Sequence, residues 1–154
     1  MIKMHEGDIF EAPVDIIIHQ CNCFNTMGSG IAKTIAKRYP RAAEVDRMTK
    51  RGDKSKLSQF TVAQADKKQD KTIINLYAQY NFGKSHKLFT NYGALSLGLW
   101  NIKEWIGKMS FENQVIGIPF GLGCGKGGGS WMIVEKLIKD VFEKSEIKVL
   151  ICKK

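Results

Sequence analysis

The hydrophobic positions of the chain fall into short apolar runs that alternate with stretches of helical spacing. The apolar runs predict strands, and the run at 14–19 is continuous and β-branched, as in a strand buried on both faces. A charged turn at 66–71 joins two of these strands. The predicted strands span residues 14–19, 59–65, 72–79, 115–118 and 147–152.

Apolar side chains spaced three and four residues apart predict four helices. The first begins at Ile31 and is interrupted at Pro40, and a second, basic helix spans 41–51. A long amphipathic helix begins near Thr90 or Asn91, and the last helix follows Ser130 as its N-cap residue. Strands that alternate with helices indicate an α/β sandwich with a largely parallel sheet, in which ligands bind at the carboxyl ends of the strands.

Composition predicts one globular domain over residues 1–154. The chain is 44% hydrophobic and 25% charged, and it contains four cysteines, which do not form the pattern of a disulfide scaffold. No apolar run approaches the ~20 residues that cross a bilayer, and the first residues lack the features of a secretory signal. We therefore expect an intracellular, cytoplasmic monomer without a membrane partner.

The chain is basic, with 24 Lys and Arg against 15 Asp and Glu and a formal charge of +9. Its cations cluster at 33–41, 47–56 and 67–71. Such clusters serve either as solvated surface or as an attractive field for anions such as nucleic acid or a phosphorylated small molecule. Nucleic acid is a possible but not a favoured partner, because no known nucleic-acid-binding motif is found.

Two glycine-rich loops each lie between a predicted strand and a predicted helix. Gly28–Ser29–Gly30 precedes Ile31, and six glycines lie within residues 121–129. Glycine allows successive N–H groups to converge on one anion, and a helix N-terminus adds further donors. Facing each other, the loops would hold a diphosphate; alternatively, their glycines only turn the chain. Neither loop has the spacing of a P-loop or of a dinucleotide fingerprint.

Four segments resemble the macrodomain family of ADP-ribose-binding modules. They are the Gly7–Asp8–Ile9 motif and residues 17–23, 27–32 and 118–131, and their order and spacing also agree. The resemblance implies a three-layer α/β/α fold with a mixed, mostly parallel central sheet. It implies ADP-ribose or ADP-ribose 1''-phosphate as the ligand, with no cofactor and no metal.

The same resemblance implies the residues that contact this ligand. Asp8 would accept a hydrogen bond from the adenine amino group or merely cap a turn, and Ile9 would lie beside the adenine or in the core. His86 would contact the substrate or face solvent. The expected ligand-binding residues are Asp8, Ile9, Gly28, Ser29, Gly30, Ile31, His86, Gly123, Cys124, Gly125, Lys126, Gly127 and Gly128.

Within the family, residues 19–23 and 82–86 resemble the ADP-ribose 1''-phosphate phosphatase branch. This implies hydrolysis of ADP-ribose 1''-phosphate to ADP-ribose and phosphate, with His19 and Asn22 as catalytic residues. Asn22 would orient the distal ribose. His19 would act as nucleophile or general acid, since imidazole titrates near neutral pH, or would simply be a buried core side chain.

Two other functions remain open. The branch that removes ADP-ribose from modified glutamates relies on a Lys and an Asp, which would fall near residues 81–82 and at Gly127, and neither is present. An ADP-ribosyl hydrolase acting on protein or nucleic acid, or a non-catalytic ADP-ribose reader, are the alternatives. The usual loop aromatic is also missing from residues 125–128, which implies a more open loop with Lys126 at its rim.

Cysteine spacing leaves one further alternative. Cys21, Cys23 and Cys124 are a conceivable zinc site, but no histidine has the spacing that such sites use. Buried structural thiols are the favoured interpretation.

Overall fold

The computed structural model describes residues 1–84 and 87–154, which form six strands and four α-helices. The strands are β1 (Ile2–Glu6), β2 (Ile16–Cys21), β3 (Phe60–Ala63), β4 (Thr72–Tyr77), β5 (Ile116–Pro119) and β6 (Val149–Lys153). The helices are α1 (Gly30–Arg38), α2 (Pro40–Arg47), α3 (Tyr92–Lys108) and α4 (Trp131–Phe142).

The six strands form one sheet in the order β1-β6-β5-β2-β4-β3. Every neighbouring pair is parallel except β3 and β4, so the prediction of a mixed, mostly parallel sheet is confirmed. The parallel strands bring the carboxyl ends of β1, β6, β5, β2 and β4 to the same edge. The loops that leave these ends are therefore neighbours.

Helices cover both faces of the sheet. On β2, Ile16 and Ile18 belong to a core cluster shared with α3 and α4, while Ile17 packs with Ile35 of α1 and Ala42 of α2. Alternate residues of a strand point to opposite faces, which explains why this strand is apolar throughout its first half. The expected three-layer α/β/α arrangement is confirmed.

The sequence pattern missed β1. This strand lies at the edge of the sheet and pairs only with β6, and its residues Lys3 and Met4 are exposed. Because an edge strand needs little apolar surface, it leaves no hydrophobic run in the sequence.

The second helix is shorter than predicted. It ends at Arg47 rather than near residue 51, and the following segment turns back so that Gly52 N–H donates to Cys23 O at 2.7 Å. The start of the long helix is as predicted, because the Asn91 side chain accepts a hydrogen bond from Ala94 N–H at 2.9 Å. Across residues 1–84 and 87–154, no helix combines the length and hydrophobicity of a bilayer-spanning segment.

Candidate functional site

A cleft of about 880 Å³ lies at the carboxyl edge of the sheet. Two segments line it: the loop at 22–29, which follows β2 and enters α1, and the loop at 120–130, which follows β5 and enters α4. We call these the first and second glycine loops. The glycines that the sequence singled out therefore do border a common space, since Gly28, Gly30, Gly123 and Gly127 all line the cleft.

Asn22 shapes the first glycine loop as well as lining the cleft. Its Oδ1 accepts a hydrogen bond from Phe24 N–H at 2.8 Å, and its Nδ2 donates to Thr26 O at 3.0 Å. An amide group has further donor and acceptor capacity beyond these two bonds. Asn22 can thus hold its own loop and still bond a ligand hydroxyl.

The first glycine loop ends at the N-terminus of α1. Ser29 is at the N-cap position, but its side chain makes no capping bond. The N–H groups of a helix's first turn have no intrahelical acceptor, and the dipole places partial positive charge there. Here the first turn begins at Gly30 and Ile31, both of which line the cleft. This end of α1 is suited to an anion.

Hydrogen bonds among Asn25, Thr49 and Lys56 support the first glycine loop from the interior of the protein. Asn25 adopts a left-handed backbone conformation, with φ of 56°, and its Nδ2 donates to Thr49 O at 2.6 Å. The ammonium of the buried Lys56 donates to Asn25 Oδ1 at 2.7 Å and to Thr49 Oγ1 at 2.8 Å. Sequence reasoning counted Lys56 only as part of a basic cluster and missed this contact, since nothing in the local pattern pairs it with Asn25.

The second glycine loop is held by hydrogen bonds within itself. Cys124 N–H donates to Gly121 O, Gly128 N–H to Gly125 O, and Gly129 N–H to Gly123 O. Among residues 1–84 and 87–154, no acceptor is found for five other N–H groups of the loop. These belong to Gly121, Gly123, Gly125, Lys126 and Gly127.

The segment before α3 anchors the same loop. Thr90 Oγ1 donates to Gly123 O at 2.7 Å and accepts from Gln20 Nε2 at 2.8 Å, while Thr90 N–H donates to Gly127 O at 2.9 Å. A Cβ at position 127 would lie 2.5 Å from Thr90 Oγ1 and 2.7 Å from Gly123 O. Only glycine fits there, so no aspartate could occupy this position without moving the loop.

Two expected ligand contacts lie off the cleft wall. Cys124 is half-buried against the core, with its Sγ donating to Leu122 O at 3.3 Å, and burial raises the pKa of its thiol. Gly128 faces the backbone of Lys87, whose carbonyl oxygen would be 2.5 Å from a Cβ. The other ligand contacts expected in the two loops, which include Gly125 and Lys126, do line the cleft.

Asp8 and Ile9 lie at the other end of the cleft, after β1. The Asp8 carboxylate accepts a hydrogen bond from Phe10 N–H at 3.0 Å and lies 3.6 Å from Lys154 Nζ. The Phe10 bond, followed by the Lys154 charge, holds the pKa of Asp8 below its usual value. Asp8 therefore caps a turn and also presents a carboxylate to the cleft, and Ile9 is both buried and a lining residue.

The structure does not bring His19 to the cleft. Its side chain is fully buried on the face of β2 turned toward α2, with Nε2 2.6 Å from Asn75 Oδ1. Asn75 Nδ2 donates to Ala42 O and Thr61 Oγ1, so its Oδ1 accepts and His19 Nε2 must donate. Burial lowers the pKa of His19 to about 4. This arrangement differs from the catalytic role expected from the sequence, because the strand alternation points residue 19 into the interior.

His86 lies outside the described residues. Charged residues around the described part of the cleft are mostly cations, with Asp8 as the acidic member. Within the described part of the chain, no group of three His, Cys, Asp or Glu side chains is arranged to hold a metal ion. The cationic residues that line the cleft are Arg38, Lys84, Lys126, Lys153 and Lys154.

Comparison with curated proteins finds relatives of this chain, whereas no family model matches it. The uncharacterized 17.5 kDa protein in the tk-vs intergenic region of Enterobacteria phage T4 is 32% identical over 97% of this chain and 96% of its own length. The DNA ADP-ribosyl glycohydrolase of Mycobacterium tuberculosis is 27% identical over 94% of this chain, which spans 39% of that protein. The ADP-ribose 1''-phosphate phosphatase of Aspergillus oryzae is 44% identical over 45 residues, 29% of this chain and 22% of that protein.

Solved structures share the fold. The macrodomain of Thermus aquaticus DarG superposes with a TM-score of 0.79 at 20% identity, over 100% of this chain and 98% of that one. The macrodomain of M. tuberculosis DarG gives 0.79 at 21% identity, over 99% and 96%. DarTG of Thermosipho africanus, in complex with ADP-ribose, gives 0.74 at 20% identity, over 95% of this chain and 39% of that one.

Proposed function

We propose that this chain, which has the macrodomain fold, binds ADP-ribose in its cleft and hydrolyses the bond joining ADP-ribose to a nucleic acid. The observation that carries the proposal is the pair of glycine loops that line one cleft, of which the second has several N–H groups without an acceptor among the described residues. Converging N–H groups and the N-terminus of α1 suit a diphosphate without requiring a lysine in contact with it.

The positions of Asp8 and Asn22 indicate how the ligand would be oriented along the cleft. Asp8 follows β1 and Asn22 follows β2, which is three places away in the sheet, or about 14 Å at the usual strand spacing of ~4.8 Å. The adenine would lie at Asp8 and Ile9, the diphosphate between the loops, and the distal ribose at Asn22. Support for this class of ligand comes from the Thermosipho africanus DarTG structure, which contains ADP-ribose.

Two observations favour a nucleic-acid-linked substrate. The glycohydrolase relative matches 94% of this chain, whereas the phosphatase relative matches 29%. The described part of the cleft also carries five cations, which favour a polyanionic substrate.

In the proposed reaction, water forms a bond to the anomeric carbon of the distal ribose as the bond from that carbon to the base breaks. The leaving base takes a proton. Asn22 would orient the ribose hydroxyls, and the loop N–H groups would offset the diphosphate charge. Lys84, an exposed cation on the cleft wall, would stabilise the leaving group.

A phosphatase acting on ADP-ribose 1''-phosphate is the second candidate, because the local match to the phosphatase of Aspergillus oryzae reaches 44% identity. His19 has no route to the phosphorus in this fold, as it is fully buried and bonded to Asn75. In this reaction the glycine loops and Asn22 would have to position a water molecule instead.

The test compares three activities of the same protein. Calorimetry measures binding of ADP-ribose, and product analysis follows an ADP-ribosylated single-stranded oligonucleotide and ADP-ribose 1''-phosphate separately. We expect binding, and release of ADP-ribose from the oligonucleotide that falls in Lys84→Ala but not in Lys68→Ala, which alters an exposed lysine on the turn before β4. Absence of ADP-ribose binding would refute the whole proposal. Phosphate release alone would support the second candidate, and binding without turnover would make the protein a reader.

A further inference from the structure

Three aromatic rings lie together beside the distal end of the cleft. The Phe24 ring packs edge-on against Tyr80, with centroids 4.9 Å apart, and against Phe82, with centroids 6.4 Å apart. The Tyr80 hydroxyl donates to Gly52 O at 2.8 Å, which fixes this ring in place. Although Phe82 packs against Phe24, it is 48% exposed, so the cluster presents the Phe82 ring to solvent.

Cations surround these rings. The Arg51 guanidinium lies 5.6 Å from the centroid of Phe24 and donates to Phe24 O at 2.7 Å, and Lys54 Nζ lies 5.2 Å from the centroid of Tyr80. Lys84 is exposed on the cleft wall and follows closely after Phe82 in the sequence. Asp53 is an acidic neighbour, but its carboxylate accepts hydrogen bonds from the N–H and hydroxyl of Ser55. We call Phe24, Arg51, Lys54, Tyr80, Phe82 and Lys84 the aromatic–basic patch.

The patch adjoins the cleft on the side of β4. Phe82 and Lys84 line the cleft wall, and the segment containing them follows β4, the strand next to β2. Asn22, where the proposed function places the distal ribose, follows β2. The chain attached to that ribose would therefore leave the cleft toward the patch, on the side away from Asp8.

We propose that the aromatic–basic patch binds the single strand of nucleic acid that carries the ADP-ribose; this rests on the proposed function. An exposed ring flanked by cations matches the two parts of a single strand, because a base stacks on the ring and the neighbouring phosphates pair with the cations. In a duplex the base faces are stacked on one another and cannot reach Phe82. An acidic peptide would use the cations but would have no base to stack on the ring.

The experiment measures binding of unmodified, fluorescein-labelled oligothymidine by anisotropy over a range of salt concentrations. Phe82→Ala should weaken binding about tenfold, as expected when one base no longer stacks, and Phe82→Trp should retain it. Lys54→Glu should weaken binding and reduce the salt slope by about 0.7 for each phosphate that no longer pairs with a cation. Lys68→Glu makes the same change of charge at the turn before β4, on the opposite edge of the sheet, and should leave affinity much closer to wild type.

The following results would contradict the patch, the proposed function or both. Equal affinity for duplex and single strand, equal effects of Lys54→Glu and Lys68→Glu, or no effect of Phe82→Ala would overturn the patch. Displacement of the oligonucleotide by polyglutamate from wild type and Phe82→Ala alike would indicate an acidic protein partner instead. Calorimetry with ADP-ribose separates the two proposals: if oligothymidine binds but ADP-ribose does not, the proposed function fails while the surface stands. If ADP-ribose binds with wild-type affinity to every variant and the oligonucleotide does not bind, only the surface fails.

Discussion

Lys56 shows how one buried charge can control the shape of a binding loop. Its ammonium donates to Asn25 and Thr49 and lies 5.2 Å from the Tyr77 ring centroid. A buried ammonium requires such partners, because an unpaired charge in the interior costs several kcal/mol. In return, the bond to Asn25 holds the first glycine loop in its left-handed turn. We therefore expect Lys56 to act as a positioning residue for the cleft.

Replacing Lys56 tests this role. Lys56→Met leaves Asn25 Oδ1 and Thr49 Oγ1 without their donor, so we expect a loss of about 1–3 kcal/mol in unfolding free energy and a several-fold weaker affinity for ADP-ribose. Lys71→Met is the matched control, since Lys71 is also buried but donates to Ala12 O and Val14 O, away from the glycine loops. It should lose stability and retain affinity. Equal losses of affinity in both variants, measured by calorimetry, would remove the positioning role.

His19 makes a different contribution, which is to the pH dependence of stability. Burial lowers its pKa from 6.5 to about 4 in the folded protein. Between these values the unfolded chain binds the proton more readily, so the unfolding free energy falls as the pH drops from about 6.5 to about 4, by up to about 3 kcal/mol. Urea unfolding at several pH values should show this decline.

Substitution of His19 isolates that effect. His19→Gln keeps a donor for Asn75 Oδ1 but cannot titrate, so the decline below pH 6.5 should shrink while stability at neutral pH changes less. His5→Asn, on the edge strand β1, serves as the control and should keep the wild-type decline. An unchanged decline in His19→Gln would show that other groups cause it.

Among the elements, the second glycine loop depends most strongly on its glycines. Gly123 has φ of 72°, in the left-handed region, and the Thr90 side chain and the carbonyl of Gly123 leave no space for a Cβ at position 127. The loop can therefore turn its N–H groups toward the cleft while its carbonyls bond the protein. With a side chain at position 123 or 127, the loop could no longer turn its N–H groups toward the cleft and keep its carbonyls bonded to the protein.

The element-scale prediction concerns position 127. Gly127→Ala should displace the loop from Thr90 and weaken ADP-ribose binding by about tenfold or more, while circular dichroism stays that of the folded protein. Gly107→Ala is the control, because an added Cβ in α3 meets only Glu112 Oε1 at 3.9 Å and should raise stability by about 0.5–1 kcal/mol with no change in affinity. Wild-type affinity in Gly127→Ala would mean that the loop does not bind the diphosphate.

Local patterns predicted most elements, and their failures have physical causes. The buried strands and α3 carry strong hydrophobic periodicity, and Asn91 provides a capping side chain, so their existence followed from the sequence. The edge strand β1 has no such pattern. The helix α2 ends early because residues 48–56 are required to hold the first glycine loop, a tertiary demand that helix propensity does not report.

For the molecule as a whole, the cleft shares the positive charge of the chain, which is +9, because five cations and one carboxylate are among the described lining residues. Screening by salt acts on all of these charges, but a nucleic acid also releases condensed counterions when it binds. Affinity for an oligonucleotide should therefore fall more steeply with salt than affinity for free ADP-ribose. Parallel anisotropy and calorimetry titrations check this, and equal salt dependence would argue against a nucleic-acid substrate.

The sequence by itself determined the α/β class, the order of most elements and the two glycine-rich loops, because periodicity and glycine content are local properties. Only the tertiary structure decided which side chains reach the cleft. Strand alternation and packing under α2 turned His19 inward, while the sheet order brought Asp8, Asn22 and Lys84 to one edge. Contacts such as Lys56 with Asn25 depend on segments far apart in the chain, and no local pattern encodes them.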